Sequence, residues 1–423
     1  MTRVLVLATT TGYQTRSFGE AAERLGVELM FGTDRCHVIE DPWRDAAVPI
    51  RFHDEDASVA AILEAARARP IDGVLVVGDR PTVIAARVAQ ALGLPGHPPD
   101  AAAAARHKRL TRERLRASGL LQPQASSLQP RRFPVVVKPV ALSGSRGVMR
   151  ADDPASLAAA IERLRALLQS PDIRAERDGA HGEILIEEFV PGREFAVEGI
   201  LHRGELHVLA IFDKPDPLDG PFFEETIYVT PSVGADRSAI VHAIAAAGHA
   251  LGLCHGPIHA ECRVNANGVY VLEVAARPIG GLCAHALRFE SAVRNPQSPI
   301  SLEELLLRHA LGGAVSEWRR ESPASGVMMI PIPRRGMLRG VNGVEAAKRV
   351  PHIDDVRMTA KIEQLLVPLP EGASYLGFIF ARASTADDVI TALRTSHHEL
   401  HFVIDPELPV LAAGSLRYNH QHG

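Results

Sequence analysis

The stretch Ile258-His-Ala-Glu-Cys-Arg-Val-Asn-Ala-Asn-Gly-Val-Tyr-Val-Leu-Glu-Val-Ala-Ala-Arg277 places Glu261 and Glu273 twelve residues apart, on either side of Asn-Ala-Asn-Gly. Its even positions, Ile258, Ala260, Cys262, Val264, Tyr270, Leu272, Val274 and Ala276, are apolar, while odd positions carry His259, Glu261, Arg263, Glu273 and Arg277. Period-2 alternation predicts a β-hairpin with one buried and one polar face. A three-residue loop of Ala266, Asn267 and Gly268, with the glycine at the positive-φ position, pairs Asn265 with Val269 and therefore Glu261 with Glu273. Like charges directly opposite on a sheet repel, so such a pair implies a cation between the acids or a raised pKa. Hard oxygen ligands suit Mg²⁺ or Mn²⁺ better than zinc. Read alone, the hairpin is equally a cation site or a solvated charged face.

At 423 residues the chain is long for one core, and roughly 100–200 residues per domain suggests about three domains. Apolar content of 46% with 23% charged residues is ordinary for a globular protein. A formal net charge of −4 gives no basic footprint, so nucleic acid is not expected as a partner. No run approaches eighteen apolar residues, so no membrane span is expected. Four cysteines without CxxC spacing point to a reducing cytoplasm rather than a disulfide framework. Cys254, His255, His259 and Cys262 superficially suggest zinc, yet His259 and Cys262 fall on opposite faces of their strand. His397, His398, His401, His420 and His422 read as exposed tail chemistry.

Working outward from the hairpin, residues 3–8 form a buried strand, residues 9–13 a turn, Arg16 to Leu25 a helix, Ala57 to Ala68 a helix, Ile71 to Gly78 a strand and Pro81 to Leu92 a helix. Alternating strands and helices predict a parallel α/β sheet. The first turn lacks GxGxxG, which weakens a dinucleotide reading. After the connector Leu94 to Pro99, Asp100 caps a predicted helix running through Ser118, on which Lys108 and Arg112 are one turn apart. By themselves those two read as solvated charge. Phe133 to Pro139 is a strand carrying Lys138, followed by a Gly/Ser loop whose backbone N–H groups could face phosphate oxygens. A helix capped by Asp153 follows. Glu183 to Val190, Glu194 to Leu201 and Leu206 to Phe212 form an antiparallel meander. Ile240 to Leu251 and Ser301 to Leu311 are helices, the second with a Ser301/Glu304 capping box. Beyond Val327, short strands and a helix over Thr385 to Arg394 suggest a smaller α+β unit.

A helix lysine, a strand lysine with a Gly/Ser loop, a Glu-Glu-Phe-Val strand end and a Glu…Glu…Arg hairpin, in this order, resemble the ATP-grasp superfamily. Phe-Pro-Val-Val-Val-Lys-Pro, Ser-Gly-Ser-Arg-Gly, Glu-Glu-Phe-Val-Pro-Gly-Arg-Glu-Phe, Phe-Phe-Glu-Glu-Thr and Leu-Glu-Val-Ala-Ala-Arg-Pro are similar to its L-amino acid ligase branch. The resemblance implies an α/β and α+β multidomain fold of ATP-grasp architecture. Its parts would be a Rossmann-like N-terminal domain over 1–100, a linker helix region over 101–130, a small subdomain over 131–192, a large subdomain over 193–311 and a C-terminal α+β domain over 312–423.

It implies an enzyme that uses ATP with Mg²⁺ or Mn²⁺ to join a carboxylate to an amine, releasing ADP and phosphate. Lys108 and Lys138 would contact phosphates, under a loop of Ser143, Gly144, Ser145, Arg146 and Gly147. Glu187 would accept the adenine amino group, Glu188, Phe189 and Val190 would form the hinge, and Glu194 would bind ribose. Glu261 and Glu273 would hold the metal. Arg277, Lys138 and Arg146 would be catalytic, Arg277 steadying the acyl phosphate. His259, Arg277, Gly280 and Gly281 would lie on the substrate side. Many superfamily members carry Asn where this chain has Ala275, which leaves one or two ions open. A carboxylase-like or purine-pathway ligase and a non-catalytic nucleotide sensor are the alternative readings, and a homodimer fits base rates.

Overall fold

A computed structural model describes residues 2–9, 14–34, 47–126, 129–234, 236–291, 293 and 298–407. Cys36, most of the turn expected over 9–13, and His420 and His422 lie outside them.

The N-terminal part is the parallel α/β unit its pattern predicts. Strands Val48–Pro49, Glu28–Thr33, Arg3–Ala8 and Gly73–Val77 pair in that order, all parallel. Leu5, Leu7, Met30 and Val76 pack against Val59 and Ile62 of helix Glu55–Ala68 and Ile84 and Val88 of helix Thr82–Leu92. The ends of such strands point at a ligand crevice, and Asp79 lies two residues beyond the Gly73–Val77 strand.

A single predicted helix over 100–118 is instead two, Pro99–Arg106 and Lys108–Ala117, broken at His107 with φ −106° and ψ 103°. Asp100 makes no cap; the N-cap is Pro98, in extended conformation. Local propensity gives no reason to stop at Arg106. The break coincides with a tertiary hydrogen bond, from the Lys108 backbone N–H to the Val140 carbonyl at 2.9 Å. Arg112 is 1% exposed, so its reading as solvated charge is overturned.

A small antiparallel sheet of Met149–Ala151, Val135–Pro139 and Ile184–Glu188 is covered by helix Pro154–Leu168, through Leu157, Leu164 and Leu167. That helix starts with the expected Asp153 cap and Pro154. The main sheet has eight antiparallel strands in the order Gly268–Ala275, Gly256–Asn265, Arg193–His202, Glu205–Asp213, Ile227–Thr230, Ala324–Ile330, Gly377–Ala383 and Ile353–Met358. Strands from beyond residue 312 thus extend the same sheet that carries the acidic hairpin.

The hairpin forms with a different turn. Asn265 pairs with Gly268, leaving a two-residue loop, and a bulge at Leu272 then restores the Glu261–Glu273 pairing. Because a bulge reverses the alternation, Val271 and Val269 face the core in place of Tyr270 and Leu272. Ile240, Ile244 and Leu251 of helix Arg237–Leu251 cover Ile258, Ala260, Cys262 and Val274. The opposite face, bearing His259, Glu261 and Arg263, is left to line a cavity. The Ser301 hydroxyl caps helix Leu302–Ala310 as expected, but Glu304 does not complete the box: its carboxylate binds Arg24 and Arg308.

Candidate active site

A cavity of about 580 Å³ lies among the N-terminal unit, both middle sheets and the 373–378 segment. Lys108, Lys138, Ser143, Gly144, Ser145, the run Glu187–Val190, Glu194, His259, Glu261, Glu273, Arg277, Gly280 and Gly281 all line it. Lys108 and Gly281, 173 residues apart in sequence, therefore face one space.

On the lysine side, Lys108 Nζ donates to the Leu142 carbonyl at 2.8 Å and lies 3.3 Å from Glu273. Burial draws the Lys138 ammonium down to about 8, although Glu187 beside it opposes the shift. Burial pushes the Glu187 carboxyl up, but Arg112 and Lys138 outweigh it and hold it below the usual range. Arg112 grips Glu187 through Nε at 2.9 Å and Nη2 at 3.2 Å, and also reaches the Leu272 carbonyl at the bulge. Glu187 is expected to accept an adenine amino group; here its oxygens bind Arg112 and Lys138, and this pairing also holds Lys138 in place.

Arg146 is expected at the phosphates but is turned away. Its guanidinium binds the Glu371 carbonyl and Asp172, and neither Arg146 nor Gly147 lines the cavity. Gly147 N–H donates to the Pro370 carbonyl at 2.8 Å. The loop therefore presents only Ser143 to Ser145, with its far end tied to the 370–371 segment.

On the acidic side, Glu194 does not stand free for a ribose. Its oxygens accept from Lys214 and Arg263, each at 2.8 Å. Lys214 also donates to Glu261 at 2.8 Å and to Glu225. Glu194, Glu225 and Glu261 bring one oxygen each within 4.8 Å of one another. Burial lowers the pKa of Lys214, yet these three acids carry it well above its ordinary value. Burial lifts the Glu225 carboxyl to about 7, against the pull of Lys214. For Glu261 burial also acts upward, but Lys214 and His259 hold it well below the carboxylate range.

His259 Nδ1 is 3.1 Å from Glu198, and hydrogen bonds to Glu198 and Glu261 raise the ring to about 9 against a burial effect that is the largest single influence. Glu198, 1% exposed, also accepts from the Ile279 backbone N–H, which fixes the turn leading to Gly280 and Gly281. Arg277 makes two hydrogen bonds to Asp79 at 3.0 and 3.1 Å. Its charge is thereby held at the cavity wall by the N-terminal unit.

Asp79, Glu198 and Lys214 are absent from the residues the sequence singles out, Arg112 reads there only as solvated charge, and Glu225 is met only within the Phe-Phe-Glu-Glu-Thr motif. Asp79 had a signal, an acid just past the carboxyl end of a parallel strand. Lys214 and Glu225 had none, because what marks them is mutual burial across 11 residues of loop.

The acids at this site offer only hard oxygen donors facing a cavity, a set that fits Mg²⁺ or Mn²⁺.

Comparison with known proteins agrees with this geometry. Residues 131–286 match the ATP-grasp domain, residues 19–96 the ATP-grasp N-terminal domain, and residues 328–405 the L-amino acid ligase C-terminal domain 2. Residues 131–286 are thus an ATP-grasp domain, and the chain has the mixed α/β multidomain fold of ATP-grasp ligases. The chain is similar to the crystal structure of L-amino acid ligase from Bacillus licheniformis, at 28% identity and TM-score 0.78, over 96% of this chain and 99% of that one. It is 31% identical to carnosine synthase 1 of Gallus gallus over 81% of this chain and 39% of that protein. It is 27% identical to alanine–anticapsin ligase of Bacillus subtilis over 54% of this chain and 53% of that protein. The chain thus spans about half or less of the length of these two curated relatives. Among the described residues, no helix is long and apolar enough to cross a membrane.

Proposed function

We propose that the protein is an ATP-dependent carboxylate–amine ligase that activates an amino acid or similar acid as its acyl phosphate and joins it to an amine. The observation that carries this reading is the convergence of two lysines, a Gly/Ser loop, the Glu261–Glu273 pair and a clamped Arg277 on one cavity. The branch-specific likeness of residues 328–405 and the whole-chain likeness to an L-amino acid ligase support it.

A carboxylate is a poor acylating agent. Attack of its oxygen on the γ-phosphorus of ATP expels ADP and leaves a good leaving group on the acyl carbon. An amine then attacks that carbon, the bond to the phosphate oxygen breaks, and the amine gives up a proton. Glu261 and Glu273 would hold Mg²⁺ or Mn²⁺, which supplies charge neutralisation between nucleotide and acid. Lys108, which is 3.3 Å from Glu273, and Lys138 offset phosphate charge, and Ser143 to Ser145 offer backbone donors. Arg277, kept from swinging by Asp79, faces the charge that develops on the acyl oxygen. Glu225, whose carboxyl titrates near 7, is suited to take up the amine's proton. Burial of the cavity limits hydrolysis of the intermediate.

The test is phosphate and ADP release across a panel of amino acid pairs. Release that requires both an acid and an amine supports the reading; AMP as product, or dependence on bicarbonate in place of an amine, overturns it.

A further inference from the structure

Away from this cavity, the far end of the Arg193–His202 strand meets the turn before Gly256–Asn265 and the last turn of helix Leu302–Ala310. Each contributes one histidine. His202, His255 and His309 place one ring nitrogen each within 4.8 Å of the others. None lines the cavity described above, and His202 is four residues beyond Glu198, or about 13 Å along the strand.

We propose that these three side chains form a binding site for one divalent transition-metal ion, of which Zn²⁺ is the representative. His202 Nδ1 and His309 Nε2 are 3.3 Å apart. Two nitrogens held at ~2.0–2.1 Å by a tetrahedral ion stand about 3.3–3.4 Å from each other, so this edge is already set. The rings are fixed by packing: His255 stacks on His309 at 4.3 Å between centroids, and His202 meets His309 edge-on at 5.5 Å. Imidazole donors without carboxylates favour zinc-like ions over Mg²⁺. Burial holds His309, 2% exposed, at about 3 and lowers His255 as well, so both offer neutral nitrogens at physiological pH.

The neighbouring His97 is not a ligand. Its Nδ1 accepts from the Cys254 backbone N–H at 3.2 Å and its Nε2 lies 3.3 Å from the Pro257 carbonyl. Those bonds instead hold the segment that carries His255. Gly204 N–H donates to the Cys254 carbonyl at 2.7 Å, tying the same segment to the turn after His202. Three protein ligands leave one position for water. Bound there, the ion joins strand, turn and helix.

The test uses the full chain, stripped with chelator and kept in saturating Mg²⁺, titrated with Co²⁺ for visible absorption and with Zn²⁺ by calorimetry. The expected result is one ion per chain, a tetrahedral Co²⁺ spectrum and a rise in melting temperature with Zn²⁺. Affinity should fall at least about tenfold in His309→Ala and in His202→Ala; the half-buried His202 gives the deciding variant if the first does not fold. Glu261→Gln and the tail variant His420→Ala/His422→Ala should bind as the parent does. Absence of stoichiometric binding, with the histidines only bonded to one another, overturns the proposal. So does binding that survives both histidine substitutions or is lost in either control.

Discussion

An ammonium removed from water costs several kcal/mol unless its partners restore what hydration supplied, and Lys214 meets that condition with Glu194, Glu225 and Glu261. The arrangement is reciprocal, since the lysine bridges all three acids, while Arg263 further supports Glu194 and Tyr228 further supports Glu261. Lys214→Met should therefore destabilise the chain by about 3–5 kcal/mol in urea denaturation, the range for breaking a buried ion pair. The variant should also gain more stability from added Mg²⁺ or Mn²⁺ than the parent, because a divalent ion can replace the missing charge. Equal stabilisation of both proteins would show that the acids are not available to a metal. Glu261 and Glu273 were legible as a pair from strand alternation, although the loop is one residue shorter than expected and a bulge at Leu272 makes up the difference. Lys214 and Asp79 were not, because their meaning arises only when a loop and another sheet fold against that face. Glu187 was located in the cavity, but its ion pair with Arg112 was not legible, since Arg112 looked like surface charge on its own helix.

At the scale of elements, existence and type followed local pattern, whereas turns and breaks followed contacts made elsewhere. The helix over 100–118 has good formers on both sides of His107, and its interruption coincides with the bond from Lys108 to Val140. The hairpin kept its acid pair because the shorter loop and the bulge at Leu272 cancel in register. The bulge carbonyl is used, accepting from Arg112 at 2.8 Å. Gly192 joins the small sheet to the large one with φ +137°, and a Cβ there would lie 2.4 Å from the Val264 carbonyl. No rotamer relieves a clash with backbone, and this φ is open to glycine alone. Gly192→Ala should cost about 2 kcal/mol or more by denaturant unfolding and should raise KM for ATP, since Phe189 and Val190 precede it in the cavity wall. An unchanged midpoint would mean that the link moves freely.

At the scale of the whole molecule, the eight-stranded sheet makes the C-terminal strands part of the frame that carries the acids, and the 370–371 segment reaches back to the Gly/Ser loop. Arg163 pairs with Glu371, whose backbone holds Arg146. The Arg163–Glu371 pair is partly exposed, so Glu371→Gln should change stability by less than about 1 kcal/mol. If the tie keeps the loop seated, the same variant should release phosphate several-fold faster without an amine; equal uncoupled release would remove the loop from that role. A second tie across units is His97, in the connector after the N-terminal unit, buried against the Cys254 and Pro257 backbone. Burial draws its ring from the ordinary 6.5 to about 4. The folded state thus binds this proton more weakly than the unfolded chain, so its contribution is fully present above pH 6.5 and is lost as pH falls towards 4. At about 1.4 kcal/mol per unit, the loss reaches about 3 kcal/mol. Melting temperatures measured from pH 7 to 4.5 should fall more steeply for the parent than for His97→Gln, which keeps hydrogen-bonding capacity without a titrating ring. Parallel pH profiles would show that the ring is already protonated, or freely hydrated, in the folded protein.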